Sequence, residues 1–192
     1  MNVEFPSEKA IEDYVESKIL KDRICPISGD EVDELIRQHP IEGYGAADIV
    51  KMSFGPQVVV ITVLELKKET LKEAHLSQLA RYMRGIERQA TGYMKKVRGL
   101  EVYVQGELAG PFDPAANDLC FLSERLDDID IFQVELSMDH GFAARPIGSG
   151  WYKAAESRMQ GRALARIAYP HLRAIQDAED AIFSAKRGEN ET

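Results

Sequence analysis

Asp48, Glu65 and Lys67 are the residues of this chain whose types and spacing could do chemistry. Glu65 and Lys67 lie at the end of an apolar, β-branched run, VVVITVLELKK, that reads as a strand buried on both faces. Residues two apart on a strand share a face, so these two emerge together while Leu64 and Leu66 point away. Asp48 sits in the preceding run, GYGAADIV, before the turn-forming segment SFGPQ. A turn centred between Gly55 and Pro56 sets Asp48 opposite Val63 and diagonal to Glu65, about 7–8 Å away at Cα. A one-residue slip would carry Asp48 to the other face. Two carboxylates, completed by a carbonyl or water, suit Mg²⁺, which prefers oxygen and keeps several waters. Mn²⁺ is the expected substitute. Such an ion can orient a phosphodiester, activate a bound water and neutralise charge at the leaving oxygen. A lysine beside it can hold the attacking water or stabilise the charge of the phosphorane. The plainer alternative is a strand end closed by a salt bridge.

The elements that must position these residues follow from periodicity and punctuation. Ser7 is the expected N-cap of a helix reaching about residue 20, with Ile11, Val15 and Ile19 on one stripe. KDRICPISGDE reads as a loop, residues 33–38 as a short helix, and His39-Pro40 as its end. Strands are expected over 47–52 and 58–66. A helix over 71–89 carries the apolar stripe Leu76, Leu79, Met83 and Ile86. Further strands are expected over 100–105 and 130–136, and a helix over 119–126. Residues 157–186 read as helical with a break or kink at Pro170. This alternation predicts an α/β protein, a central mixed sheet flanked by helices. One domain is expected over 1–150, with a helical extension over 151–192 packed on it.

Three runs together, GYGAADIV, VVVITVLELKK and HLSQLARYM, resemble the core of the PD-(D/E)XK nuclease superfamily. Asp48 matches that family's first acid, Glu65 and Lys67 its Glu-x-Lys element, and Gln78 and Tyr82 its Gln-Leu-x-x-Tyr helix. Ala47 stands where the family usually has proline. SEKAIEDYV resembles the family's opening helix, in which a glutamate reaches toward the metal; Glu8 and Glu12 are the candidates, Glu8 favoured. The resemblance covers residues 7–83 and implies a restriction-endonuclease-like core. It also implies Mg²⁺-dependent hydrolysis of DNA, with the nearest likeness to endonucleases that cut branched or mismatched substrates. Repair, recombination or viral replication are the expected settings. Gln78 would hold a phosphate or a metal-bound water, and Tyr82 would pack or touch phosphate. The competing expectation is a non-catalytic DNA-binding or assembly factor on the same fold, since fold does not dictate activity.

A net charge of −8 counts against a polyanion partner at first sight, but the charge is uneven. Lys68 adjoins the Glu-x-Lys element, and Arg81, Arg84 and Arg88 recur at helical spacing just beyond it. Arg158, Arg162 and Arg166 form a second stripe. Both stripes are candidate phosphate contacts that position DNA without reading its sequence, and Trp151 and Tyr152 are candidates for stacking on bases. Cutting both strands of a duplex needs two sites, so a homodimer is also expected. Cys25 and Cys120 are isolated and read as buried free thiols. The four histidines show no metal-ligand spacing, although His75 stands near the start of the motif helix. No nucleotide-binding or serine-hydrolase motif is present. With no apolar run of bilayer length and an acidic N-terminal segment, the expected location is cytoplasmic, away from membranes.

Overall fold

Ser7 opens the first helix as expected, in extended conformation with its Oγ accepting from the Ala10 N–H at 3.1 Å. Helix α1 (Glu8–Asp22) ends where Arg23 turns left-handed and its N–H reaches Ile19 O at 2.8 Å. The computed structural model describes residues 6–94, 101–113, 119, 128–137 and 141–147. Ile11, Val15 and Ile19 are buried as one stripe, each contributing about 1.5–3 kcal/mol by its burial.

The segment expected to be a short helix over 33–38 is instead β1 (Glu34–Ile41). Alternating exposure along it shows a strand, and its pairing with β2 (Gly45–Phe54) overrides the helical look of the local sequence. Pro40 does not end it: β1 lies at the sheet edge, where a residue without an N–H is tolerated. β2 returns antiparallel to β1, and β3 (Val58–Leu66) antiparallel to β2. Helix α2 (Glu73–Met94) then crosses to β4 (Glu101–Gly110), which runs parallel to β3. β5 (Ile129–Ser137) is parallel to β4, and β6 (Gly141–Pro146) turns back antiparallel to it. The result is α/β, a six-stranded mixed sheet in the order β1-β2-β3-β4-β5-β6 with helices against it. β6 had no counterpart in the sequence expectations. The helix expected over 119–126 lies outside the described residues except Leu119, which is helical and buried. The helical extension over 151–192 lies outside them entirely.

Each face of the sheet carries its own apolar core. Leu71, Leu76, Leu79, Met83 and Ile86 join Val50, Val63, Leu108 and Ile131 on one side. Ile11, Val15 and Ile19 join Ile49, Leu64, Leu66, Phe132 and Val134 on the other. β3 therefore alternates between the two cores, as a run apolar at every position must. Two glycines allow close approach of α2. A Cβ at Gly106 would stand 2.6 Å from Met83 Sδ, and one at Gly85 would stand 2.2 Å from Ile41 Cγ2. Among the described residues, no helix is long and apolar enough to cross a membrane.

The sheet also buries an ion pair. Lys51 on β2 and Glu107 on β4 are 2% and 1% exposed, and Lys51 Nζ donates to both Glu107 oxygens at 2.7 and 2.8 Å. Ser28 Oγ accepts a third bond from the same nitrogen at 2.9 Å, and Asp30 lies 3.6 Å away. Burial alone would drive the lysine toward neutrality, but the Glu107 charge outweighs it and holds the ammonium protonated.

Candidate active site

Asp48, Glu65 and Lys67 come together where β2 begins and β3 ends. The observed register sets Ile49 opposite Leu64 and Val50 opposite Val63, two residues away from the expected pairing of Asp48 with Val63. A two-residue shift keeps the parity of the strand, so Asp48 still meets Glu65. The Asp48 Oδ2 accepts the Leu66 N–H at 2.8 Å, closing the end of the ladder with a side chain.

Glu65 is the centre of the cluster. Its Oε1 accepts from Lys67 Nζ at 2.6 Å and from Gln78 Nε2 at 2.8 Å, while Oε2 is buried without a partner. Gln78 also donates to the Tyr82 hydroxyl at 2.9 Å. Tyr82 is buried, and its ring rests on Gly45, where a Cβ would lie 3.3 Å from the hydroxyl oxygen. Gly45 has φ +114, a backbone open to glycine and costly for other residues. Tyr82 thus steadies Gln78, and Gln78 steadies Glu65, from a helix and a strand that the two cores fix.

Lys67 is aimed by the chain that follows β3. Its N–H bonds Ala109 O at 2.8 Å, and the Leu71 N–H bonds Pro111 O at 2.8 Å. Gly110 makes room for this approach: a Cβ there would lie 2.8 Å from Lys67 O and 3.2 Å from Lys67 Cβ. His75 locks the same turn. Its Nδ1 accepts the Lys72 N–H at 3.2 Å in the manner of a capping box, and its Nε2 meets Glu69 Oε1 at 3.0 Å. Nδ1 accepts, so the ring proton sits on Nε2. Gly110 and His75 had no assigned role in the sequence, because a glycine or a histidine signals a contact only once its neighbour is known.

The electrostatics follow from burial. Desolvation, then repulsion from Asp48, push the Glu65 carboxyl up to about 7, against the pull of Lys67. Asp48 is raised as well, chiefly by burial, although the Leu66 N–H favours its charged form. Burial opposes the charge on Lys67, but the hydrogen bond and charge of Glu65, with Asp48 and Glu8, raise it overall. Because the folded state keeps the Glu65 proton to a higher pH than the unfolded chain, stability drains away as pH rises from about 4.5 to about 7. Melting curves of metal-free wild type and Glu65→Gln across pH 5–8 check this. Wild type is expected to lose ground to the variant as pH rises, and parallel curves would contradict the shift.

The two N-terminal glutamates separate clearly. Glu12 is buried and spent: its Oε2 accepts from Arg37 at 2.8 Å and from Gln38 Nε2 at 3.0 Å. Arg37 also grips Asp13 and Glu16, pinning α1 to β1. Glu8 is half-buried, and its charge acts on Asp48, Glu65 and Lys67 alike. Arg81, Arg84 and Arg88 all lie exposed on α2, with Arg88 stacked 5.7 Å over the Tyr44 ring, and Lys68 is exposed beside the site. Arg158, Arg162, Arg166, Trp151 and Tyr152 lie outside the described residues.

The donor set fits a hard divalent ion. Two carboxylates raised chiefly by burial, Glu65 also by the charge of Asp48 and with a bare buried oxygen, would be relieved by a cation between them. Among the described residues, no group of three or more His, Cys, Asp or Glu converges as an ion site, so the pair would need carbonyl and water ligands to complete it. No family model, curated protein or solved structure matches this chain.

Proposed function

We propose that the chain is a Mg²⁺-dependent deoxyribonuclease of the PD-(D/E)XK type, hydrolysing phosphodiester bonds as an endonuclease, with Mn²⁺ as a working substitute. The observation that carries the reading is the Glu65 carboxylate. It is held by Lys67 and Gln78 through one oxygen, repelled by Asp48, and left with a bare buried oxygen on the other side. A group so placed weakens the fold, which is the mark of a site kept for chemistry.

Asp48 and Glu65 would hold the ion with carbonyl or water ligands, and Glu8, rather than the Arg37-paired Glu12, would add its charge nearby. When bound, Mg²⁺ supplies a docking point for the phosphodiester and a lowered cost of forming hydroxide from water. Lys67 remains charged and spends one of its three donors on Glu65. The other donors are free to orient the attacking water or to offset charge on the phosphorane. Gln78 holds Glu65 in register and Tyr82 holds Gln78. Lys68 and the α2 arginines supply phosphate contacts along the flanking backbone. Support for the restriction-endonuclease-like core comes from the order of parts: an antiparallel β1–β3 meander bearing the acids, then α2 leading to a parallel strand. Two copies would cut both strands of a duplex.

The test is incubation of the full chain with labelled single-stranded, duplex, flap and four-way-junction DNAs. Each is run with Mg²⁺, with Mn²⁺ and with chelator. Cutting that needs the metal is expected, and the preferred substrate names the class. Absence of cutting by well-folded protein on every substrate, with DNA still bound, would favour the non-catalytic reading.

A further inference from the structure

Gln38 breaks the pleat of β1 at the point where Asp48 stands across from it. Its φ is +46, in the left-handed region, although it is neither glycine nor asparagine and lies within a strand. The only other described non-glycine residue with positive φ, Arg23, closes a helix, where that conformation is routine. Arg37 pairs with Ile49 and His39 with Ala47, while Gln38 and Asp48 form no ladder pair between them. The disturbance reaches β2. Ala47 and Ile49 would share a face in a regular strand, yet they are buried in opposite cores. Asp48 therefore sits at a twist in the strand.

What the break achieves is visible in the side chain. The Gln38 amide donates to Glu12 Oε2 at 3.0 Å and lies 3.5 Å from Asp48 Oδ1. Leu66 holds the other Asp48 oxygen. One oxygen of the carboxylate is thus held by β3, and the other faces the amide of a residue with left-handed backbone. Glu12 in turn is anchored by Arg37, so the amide is braced from behind.

We propose that Gln38 is a positioning residue for Asp48, holding the first acid at the angle the ion requires at the expense of a strained backbone. The role rests on reading Asp48 and Glu65 as an ion site. The bond to Glu12 ties β1 to α1, and the left-handed backbone brings the same amide toward Asp48 as well. Substitution should then separate two quantities that a purely structural residue moves together.

Gln38→Gly relieves the left-handed strain and removes the amide. Gln38→Asn tolerates the same backbone, but its shorter arm does not span the two acids. Mn²⁺ binding to the full chain, read from the loss of the free-ion electron paramagnetic resonance signal, gives affinity without any need for turnover. Thermal melting without metal gives stability. Both variants are expected to melt within about 2 °C of wild type and to bind Mn²⁺ about tenfold more weakly. If wild type binds and the variants bind equally well, the positioning role is overturned while the ion site stands. If both variants melt far lower and lose Mn²⁺ only in proportion to unfolding, Gln38 is structural and the proposal fails. If wild type itself binds no Mn²⁺, the ion-site reading fails and this role falls with it.

Discussion

Glu65→Gln is expected to lower metal-dependent cleavage by about 10³-fold or more while making the metal-free protein more stable above pH 7. The two effects share one cause. Glutamine keeps an oxygen for Lys67, but it carries no charge to be desolvated or to repel Asp48. The same loss of charge removes one of the two carboxylates offered to the ion. Stability and activity should therefore move in opposite directions, as they do where a site is held against the preference of the fold. Lys67→Met provides the contrast. It removes the cation that would serve the water or the phosphorane, so cleavage should fall by about 10²–10³-fold, while ion binding persists. Single-turnover cleavage together with melting at pH 8 separates the variants. A Glu65→Gln protein that cuts at the wild-type rate would remove this carboxylate from the mechanism.

Lys51→Met carries the largest expected cost to the fold. It takes from Glu107, which is 1% exposed, the ammonium that contacts both of its oxygens and leaves Ser28 as its partner. Breaking a buried pair from one side costs about 3–5 kcal/mol, a large part of the roughly 5–15 kcal/mol that holds a domain together. The melting temperature should fall by about 10 °C or more. Replacing both partners, Lys51→Met with Glu107→Leu, leaves no charge uncompensated and should recover most of the loss. Urea denaturation of the two single variants and the double closes the cycle. A double variant as weak as the singles would show that the pair's main work is tethering Ser28 and Asp30, which also reach Lys51.

The residues of the candidate site were easier to single out in the sequence than the sheet around them. Glu65 and Lys67 sit where an unbroken β-branched run stops, and the stripe Leu76, Leu79, Met83 and Ile86 is buried as its spacing requires. Ser7 caps its helix because the capping bond is local. What failed was long-range. Val32, Leu35 and Ile36 stand at a helix-like spacing, and only the partner strand β2 makes residues 34–41 extended. β4 runs on to Gly110, past the expected end at Gln105: Gly106 and Gly110 depress local strand propensity, but β3 and β5 pair with them and their missing side chains admit α2 and Lys67. Lys51 and Glu107 are charges that sequence alone places outside, and nothing local marks them as partners across a strand. The pairing of Glu12 with Arg37, a residue on another element, was likewise not legible.

Calorimetric titration of Mn²⁺ into the metal-free chain at pH 8, beside Asp48→Ala and Glu65→Ala, tests the central claim most directly. The account predicts saturable binding by wild type that either substitution abolishes, in proteins that remain folded. Binding that survives both substitutions, or no binding by the wild type, would contradict it.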